Sequence, residues 1–187
     1  MNITLIIVIA VAATIVLWSI GIFNTLKSRK IQIEEAWSSI DVQLKRKVNI
    51  LTNLLDTLKM QMNFEKSVLT EITQARSGLL SSDKETAIAA NDKLTKLLSS
   101  FNATIEAYPT LGTNQSFQTM MSDIRDCEDK VSYARTRYNM TVTKYNTEIT
   151  IFPNCLVASV MGSSKEKMFE MTEPPRDIAD NIRIGKL

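Results

Sequence analysis

Residues 3–23, ITLIIVIAVAATIVLWSIGIF, carry no charged side chain. Such a run has few options, because in hydrocarbon each backbone N–H and C=O must be bonded within the segment, and a helix does this for a single span. At about 1.5 Å per residue the helix would cover roughly 31 Å, the thickness of a bilayer's apolar core. A cleaved signal peptide would need a basic start, a shorter apolar region and a small-residue cleavage site, and none is present. The first cations follow the run, at Lys27, Arg29 and Lys30. By the positive-inside rule the N-terminus then lies outside and the rest of the chain in the cytoplasm. Residues 1–26 are read as a single transmembrane helix running from Ile3, with Trp18 and Phe23 as anchors toward the inner interface.

Beyond the span, the 187-residue chain holds 5 Gly and 4 Pro, too few for the corners of a β fold. No Pro occurs before Pro109 and no Gly between Gly21 and Gly78, so helix can leave the bilayer unbroken. Trp37, Ile40, Leu44, Val48, Leu51, Leu55, Leu58 and Met62 follow three-four spacing and predict an amphipathic helix. Its phase blurs at Asn63, where a bend is one expectation and continued helix the other. The stretch 78–83, GLLSSD, supplies a stop and a new N-cap, after which Ile88, Leu94, Leu98, Phe101 and Ile105 mark a further helix. Turn residues around Pro109 and Gly112, with Asn114 as a cap, precede the last long helix.

That helix carries a heptad seam. Stepping by seven from Phe117 meets Ile124, Val131, Tyr138, Tyr145 and Phe152, interleaved with Met121, Cys127, Ala134, Val142 and Ile149. Residues seven apart stack on one helical face, as in a coiled coil or bundle. The fold class expected is therefore all-α, an N-terminal transmembrane helix continuing into an elongated up-and-down bundle of three or four long helices. Residues 27–161 form the bundle, and residues 162–187, with Pro174-Pro175, read as a polar C-terminal tail.

Chemistry is scarce. Histidine is absent, the two cysteines, Cys127 and Cys155, are far apart in sequence, and the glycines are scattered. Di-iron, P-loop, dinucleotide and cysteine-nucleophile constellations all lack a required part. Neither an enzyme nor a metal or other cofactor is expected. With 22 basic and 20 acidic residues, no nucleic-acid partner is expected either. The tight cluster Lys45-Arg46-Lys47 reads as a solvated face or a membrane-facing patch. The dipeptide Tyr-Asn recurs at Tyr138-Asn139 and Tyr145-Asn146. It predicts rings buried in the seam, with the amides bonding to a neighbouring helix and fixing register. A polar inter-helix network of Asp41, Arg46, Asn53, Arg76, Arg135, Asn139 and Asn146 is the structural reading. A small-molecule groove lined by Asn53, Arg135, Asn139 and Asn146 is the functional one.

The words WSSIDVQLKRK at 37–47, NLL at 53–55, EAYPTLGTNQSF at 106–117, ARTRYN at 134–139, YN at 145–146 and FP at 152–153, in this order and spacing, resemble the LemA family of bacterial membrane proteins. Two places depart from its pattern: Thr52 stands where members often carry Pro, which favours an unbroken first helix, and Phe64 where they often carry His. The resemblance implies one membrane helix in the bacterial inner membrane, a cytoplasmic helical bundle and no established reaction. Relatives associated with magnetosome membranes suggest a part in organising membranes. The expectation is a non-enzymatic scaffold or adaptor, with the lipid bilayer, a second copy of the chain and a membrane protein as partners. Its rivals are a regulatory or sensory subunit and a small-molecule binder.

Overall fold

The computed structural model describes residues 3–59, 66–105 and 114–169, except for the side chains of residues 99–105. The expected bend near Asn63, the turn around Pro109 and Pro174-Pro175 lie outside the described residues, as do the side chains of Phe101 and Ile105. The chain is all-helical, and no strand occurs among the described residues. Among the described residues the helices are, in order, α1 (Ile3–Lys59), α2 (Lys66–Leu79), α3 (Lys84–Ile105), α4 (Gln115–Glu148) and α5 (Asn154–Val160).

Helix α1 runs without interruption through 57 residues, about 85 Å of axis at 1.5 Å each. It passes straight through Asn49–Leu54, consistent with Thr52 supplying the backbone donor that a proline would lack. Its side chains change environment once along this length. Ile3 is 76% exposed and Leu17 71%, whereas Ile22, Leu26, Ile33, Ala36 and Ile40 are buried. Burial from Ile22 onward recurs at three-four spacing, the signature of one face packed against other helices.

Two compact units divide the chain. The first comprises the described residues of Met1–Asp41 and Tyr133–Met168. In it α1 and α4 are antiparallel, since Arg29 pairs with Glu148 at 2.9 Å and, further along α1, Trp37 meets Tyr138 edge to face at 6.3 Å. The second comprises the described residues of Val42–Ser132 and Phe169–Leu187. Here α1 to α4 all contribute to one core, through residues such as Leu51, Ile72, Leu94 and Ile124. The α2–α3 hairpin packs closely at Gly78. A Cβ on Gly78 would stand 2.6 Å from the Ala90 Cβ, so only glycine lets the helices approach this closely.

Caps begin both α3 and α4. The Asp83 carboxylate accepts from the Thr86 amide at 2.8 Å, and the Asn114 side chain accepts from the Phe117 amide at 3.1 Å. The heptad seam of α4 is buried at Phe117, Ile124, Val131, Tyr138 and Tyr145, and Trp37 on α1 is half-buried. Phe152 does not extend it, being 79% exposed. The helix closes at Glu148, where the Thr147 carbonyl accepts from both Thr150 and Ile151, four residues before Phe152. Pro153 disfavours helical geometry for the residue before it, and once the helix stops, a spacing of seven no longer selects a face.

Candidate functional site

The Tyr-Asn words build a clamp on the first unit. Asn146 donates from Nδ2 to the Glu166 carbonyl at 2.8 Å and accepts at Oδ1 from the Glu166 amide at 2.9 Å. A side-chain amide thus mimics a backbone peptide and pairs both ways with one residue of a non-helical segment. The Tyr138 hydroxyl donates to the Lys167 carbonyl at 3.4 Å, and the Thr143 hydroxyl lies 3.3 Å from the Met168 sulfur. From the other side, Lys30 on α1 pairs with the Glu166 carboxylate at 3.4 Å. Burial, and secondarily the Glu166 charge, push the Tyr138 phenol above its ordinary value, so it stays a neutral donor.

This corrects two expectations. Asn146 was expected to bond across to a neighbouring helix, but it holds extended chain, because the segment after α5 turns back along α4 and brings unpaired peptide groups that need partners. The expected tail beginning at residue 162 is, over 163–168, held chain, and Phe169 is buried. Gly162, at φ +63°, makes the reversal from α5, a backbone conformation glycine adopts readily.

A second polar cluster lies inside the second unit, where the sequence pointed to solvent. Lys47 is fully buried; its Nζ donates to Asn91 Oδ1 at 2.9 Å and to Glu128 Oε1 at 3.2 Å. Burial lowers its proton affinity below the ordinary ammonium value, with the Glu128 carboxylate opposing the shift. The solvated-face reading therefore fails for Lys47, though Lys45 and Arg46 are exposed. A signal was present: Lys47 stands three residues after Leu44 and four before Leu51, on the apolar stripe of α1. Asn91, three after Ile88 and three before Leu94, holds the same kind of place on α3.

The seven expected network residues are divided between the two units. Asp41, Arg135, Asn139 and Asn146 belong to the first unit, Arg46, Asn53 and Arg76 to the second. Arg46 pairs with Asp126 at 2.9 Å, and Lys130 shares that carboxylate at 2.8 Å. Lys130 first, then Arg46, hold the Asp126 carboxyl below its usual range. Arg135 is buried, Asp41, Arg76 and Asn139 are half-buried, and Asn53 is exposed on α1. Asn53, between the half-buried Thr52 and the buried Leu54, exposes its side chain. Both cysteines are free; burial raises the Cys127 thiol above its ordinary value and so keeps it unreactive. No cluster of three His, Cys, Asp or Glu among the described residues could hold a metal ion.

A family model described as the LemA family matches residues 36–182, most of the chain. The chain belongs to the LemA family. It is 29% identical to Protein LemA of Metamycoplasma hominis over 168 residues, covering 88% of this chain and 76% of that one. It is also 21% identical to each of two magnetosome MamQ proteins of Paramagnetospirillum magneticum, over 79% of this chain and 64% of theirs. The LemA match takes in α2 to α5 whole and α1 from Ala36 onward, so it includes the Lys47 cluster and all of the Asn146 clamp but Lys30.

Proposed function

We propose that this LemA-family protein is a non-enzymatic, membrane-anchored scaffold or adaptor that carries a helical bundle at the cytoplasmic face of the bacterial inner membrane. One observation carries the reading: α1 is a single helix whose first turns expose apolar side chains all round and whose later turns, from Ile22, bury one apolar face. A helix that carries both an apolar span and a packed face suits an anchored support more than a freely diffusing binder. The relatives named as magnetosome proteins accord with a part in organising membranes. Lys27, Arg29 and Lys30 after the span favour the bundle inside. Self-association through helix faces is part of the proposal; exposed apolar residues on the packed part of α1 and α4, such as Val42 (56%) and Met140 (59%), are available to it.

The test is mass. Full-length protein extracted in mild detergent and weighed by light scattering, with the detergent contribution removed, is expected to exceed one chain. A monomer at all concentrations would remove the self-associating scaffold. Recovery of one stoichiometric foreign membrane protein with that monomer would favour a regulatory subunit instead.

A further inference from the structure

We propose that the uncharged stretch 149–164, with α5 at its centre, is a second membrane contact, lying in the interfacial zone of the leaflet through which α1 leaves the bilayer. The proposal rests on α1 being a membrane anchor, and its test separates the two ideas.

Three observations within the first unit place the stretch. Arg29 pairs with Glu148 at 2.9 Å, so the last turn of α4 sits beside α1 only six residues past Phe23, the end of the apolar run. That is about 9 Å of helix, against an interfacial zone roughly 5–7 Å deep on each side of the hydrocarbon. Because α4 is antiparallel to α1, its C-terminus points back toward the bilayer, and residues after Glu148 continue that way. The chain returns at Glu166, which Lys30 and Asn146 hold at 3.4 Å and 2.8 Å. Residues 149–164 are therefore the membrane-side end of this unit.

Composition and exposure then say what covers it. No Asp, Glu, Lys or Arg occurs between Glu148 and Lys165. On α5, Leu156 is 59% exposed and Val160 91%, four apart and so on one side, while Ala158 on the other side is buried at 3%; Phe152, just before α5, is 79% exposed. An exposed apolar helix face with no charge on it and its back buried in protein can enter the interfacial zone without desolvating an ionised group. On α1 in the same unit, Ile20 is 50% and Phe23 41% exposed. The exposed cations Lys27, Lys165 and Lys167 flank both segments, where headgroup phosphates would meet them.

The experiment uses the full chain in vesicles of phosphatidylcholine and phosphatidylglycerol. Single nitroxide labels are attached through Val160→Cys, Tyr133→Cys or Val11→Cys on a Cys127→Ala, Cys155→Ala background. Collision with lipid-borne oxygen and with a water-soluble nickel chelate is compared. Expected is at least a fivefold lower nickel-to-oxygen ratio at 160 than at 133, with 11 lower still. A ratio at 160 equal to that at 133, with 11 in lipid, overturns the second contact and leaves the anchor standing. Nickel access at 11 overturns both, and a site at 160 shielded from both reagents means that protein covers α5, which also overturns it. Should the labelled background fail to fold, hydroxyl-radical footprinting of the unmodified protein decides. Phe152 and Tyr133 are comparably exposed, at 79% and 75%, so several-fold weaker labelling of Phe152 in vesicles supports the contact and equal labelling refutes it.

Discussion

Lys47 is the residue whose environment departs furthest from what its type requires. A buried ammonium is tolerated only with its partners in place, so Glu128→Ala should cost about 3 kcal/mol, more than Lys47→Met, which removes the charge itself. Thermal unfolding of the two variants in detergent, followed by helical circular dichroism, checks the order. Its pH dependence has a definite sign. The folded-state affinity of Lys47 for its proton is lowered, so above the folded value and below the ordinary lysine value the unfolded chain binds more protons. Stability of the native protein relative to Lys47→Met should therefore rise as pH climbs from neutrality toward the ordinary lysine value. A difference that falls with pH would mean that the ion pair with Glu128 outweighs desolvation. Asn146 can be read as separately: Asn146→Ala should lose two hydrogen bonds, about 1–3 kcal/mol locally, and raise amide exchange at Glu166 while leaving Val131 unchanged.

At the scale of elements, the α2–α3 hairpin makes an opposed pair of effects measurable. Alanine is the better helix former by about 0.8–1 kcal/mol, but Gly78→Ala puts a Cβ 2.6 Å from that of Ala90, a clash between atoms that cannot swing away. The clash wins, and a net loss of about 1–2 kcal/mol is expected from denaturant titration. The double variant Gly78→Ala, Ala90→Gly should recover most of it; failure to recover would place the cost elsewhere. Helix existence, and the caps at Asp83 and Asn114, were readable from periodicity and residue type, because those signals are local. The end of α4 was not, since the heptad spacing of Phe152 persists in sequence beyond the last helical hydrogen bonds. Nor was the partner of Asn146, because an amide in a helix presents the same donor and acceptor to a neighbouring helix or to a returning strand of chain.

For the molecule as a whole, the decisive boundary is near Ile22, where the apolar side chains of α1 pass from exposed to buried. Val11 lies in the exposed part of α1, 54% open, midway along the apolar run. Val11→Asp should cost about 2.5–3.5 kcal/mol of insertion, and shift protein from the carbonate-resistant membrane pellet toward the supernatant. Unchanged fractionation would mean that something other than α1 holds the chain to the membrane. The same charge placed at the exposed Tyr133 should leave partition unaltered.

Read alone, the sequence determined the all-helical class, the uncharged span, the stripe on each long helix and the family words, because each is a matter of composition, spacing or order along the chain. Tertiary structure decided which stripe positions could hold a lysine, what the Tyr-Asn words grip, and that 163–168 is held chain. Those outcomes depend on which distant segment arrives beside a given side chain. Only the folded arrangement supplies Glu128 and Asn91 to Lys47, or Glu166 to Asn146.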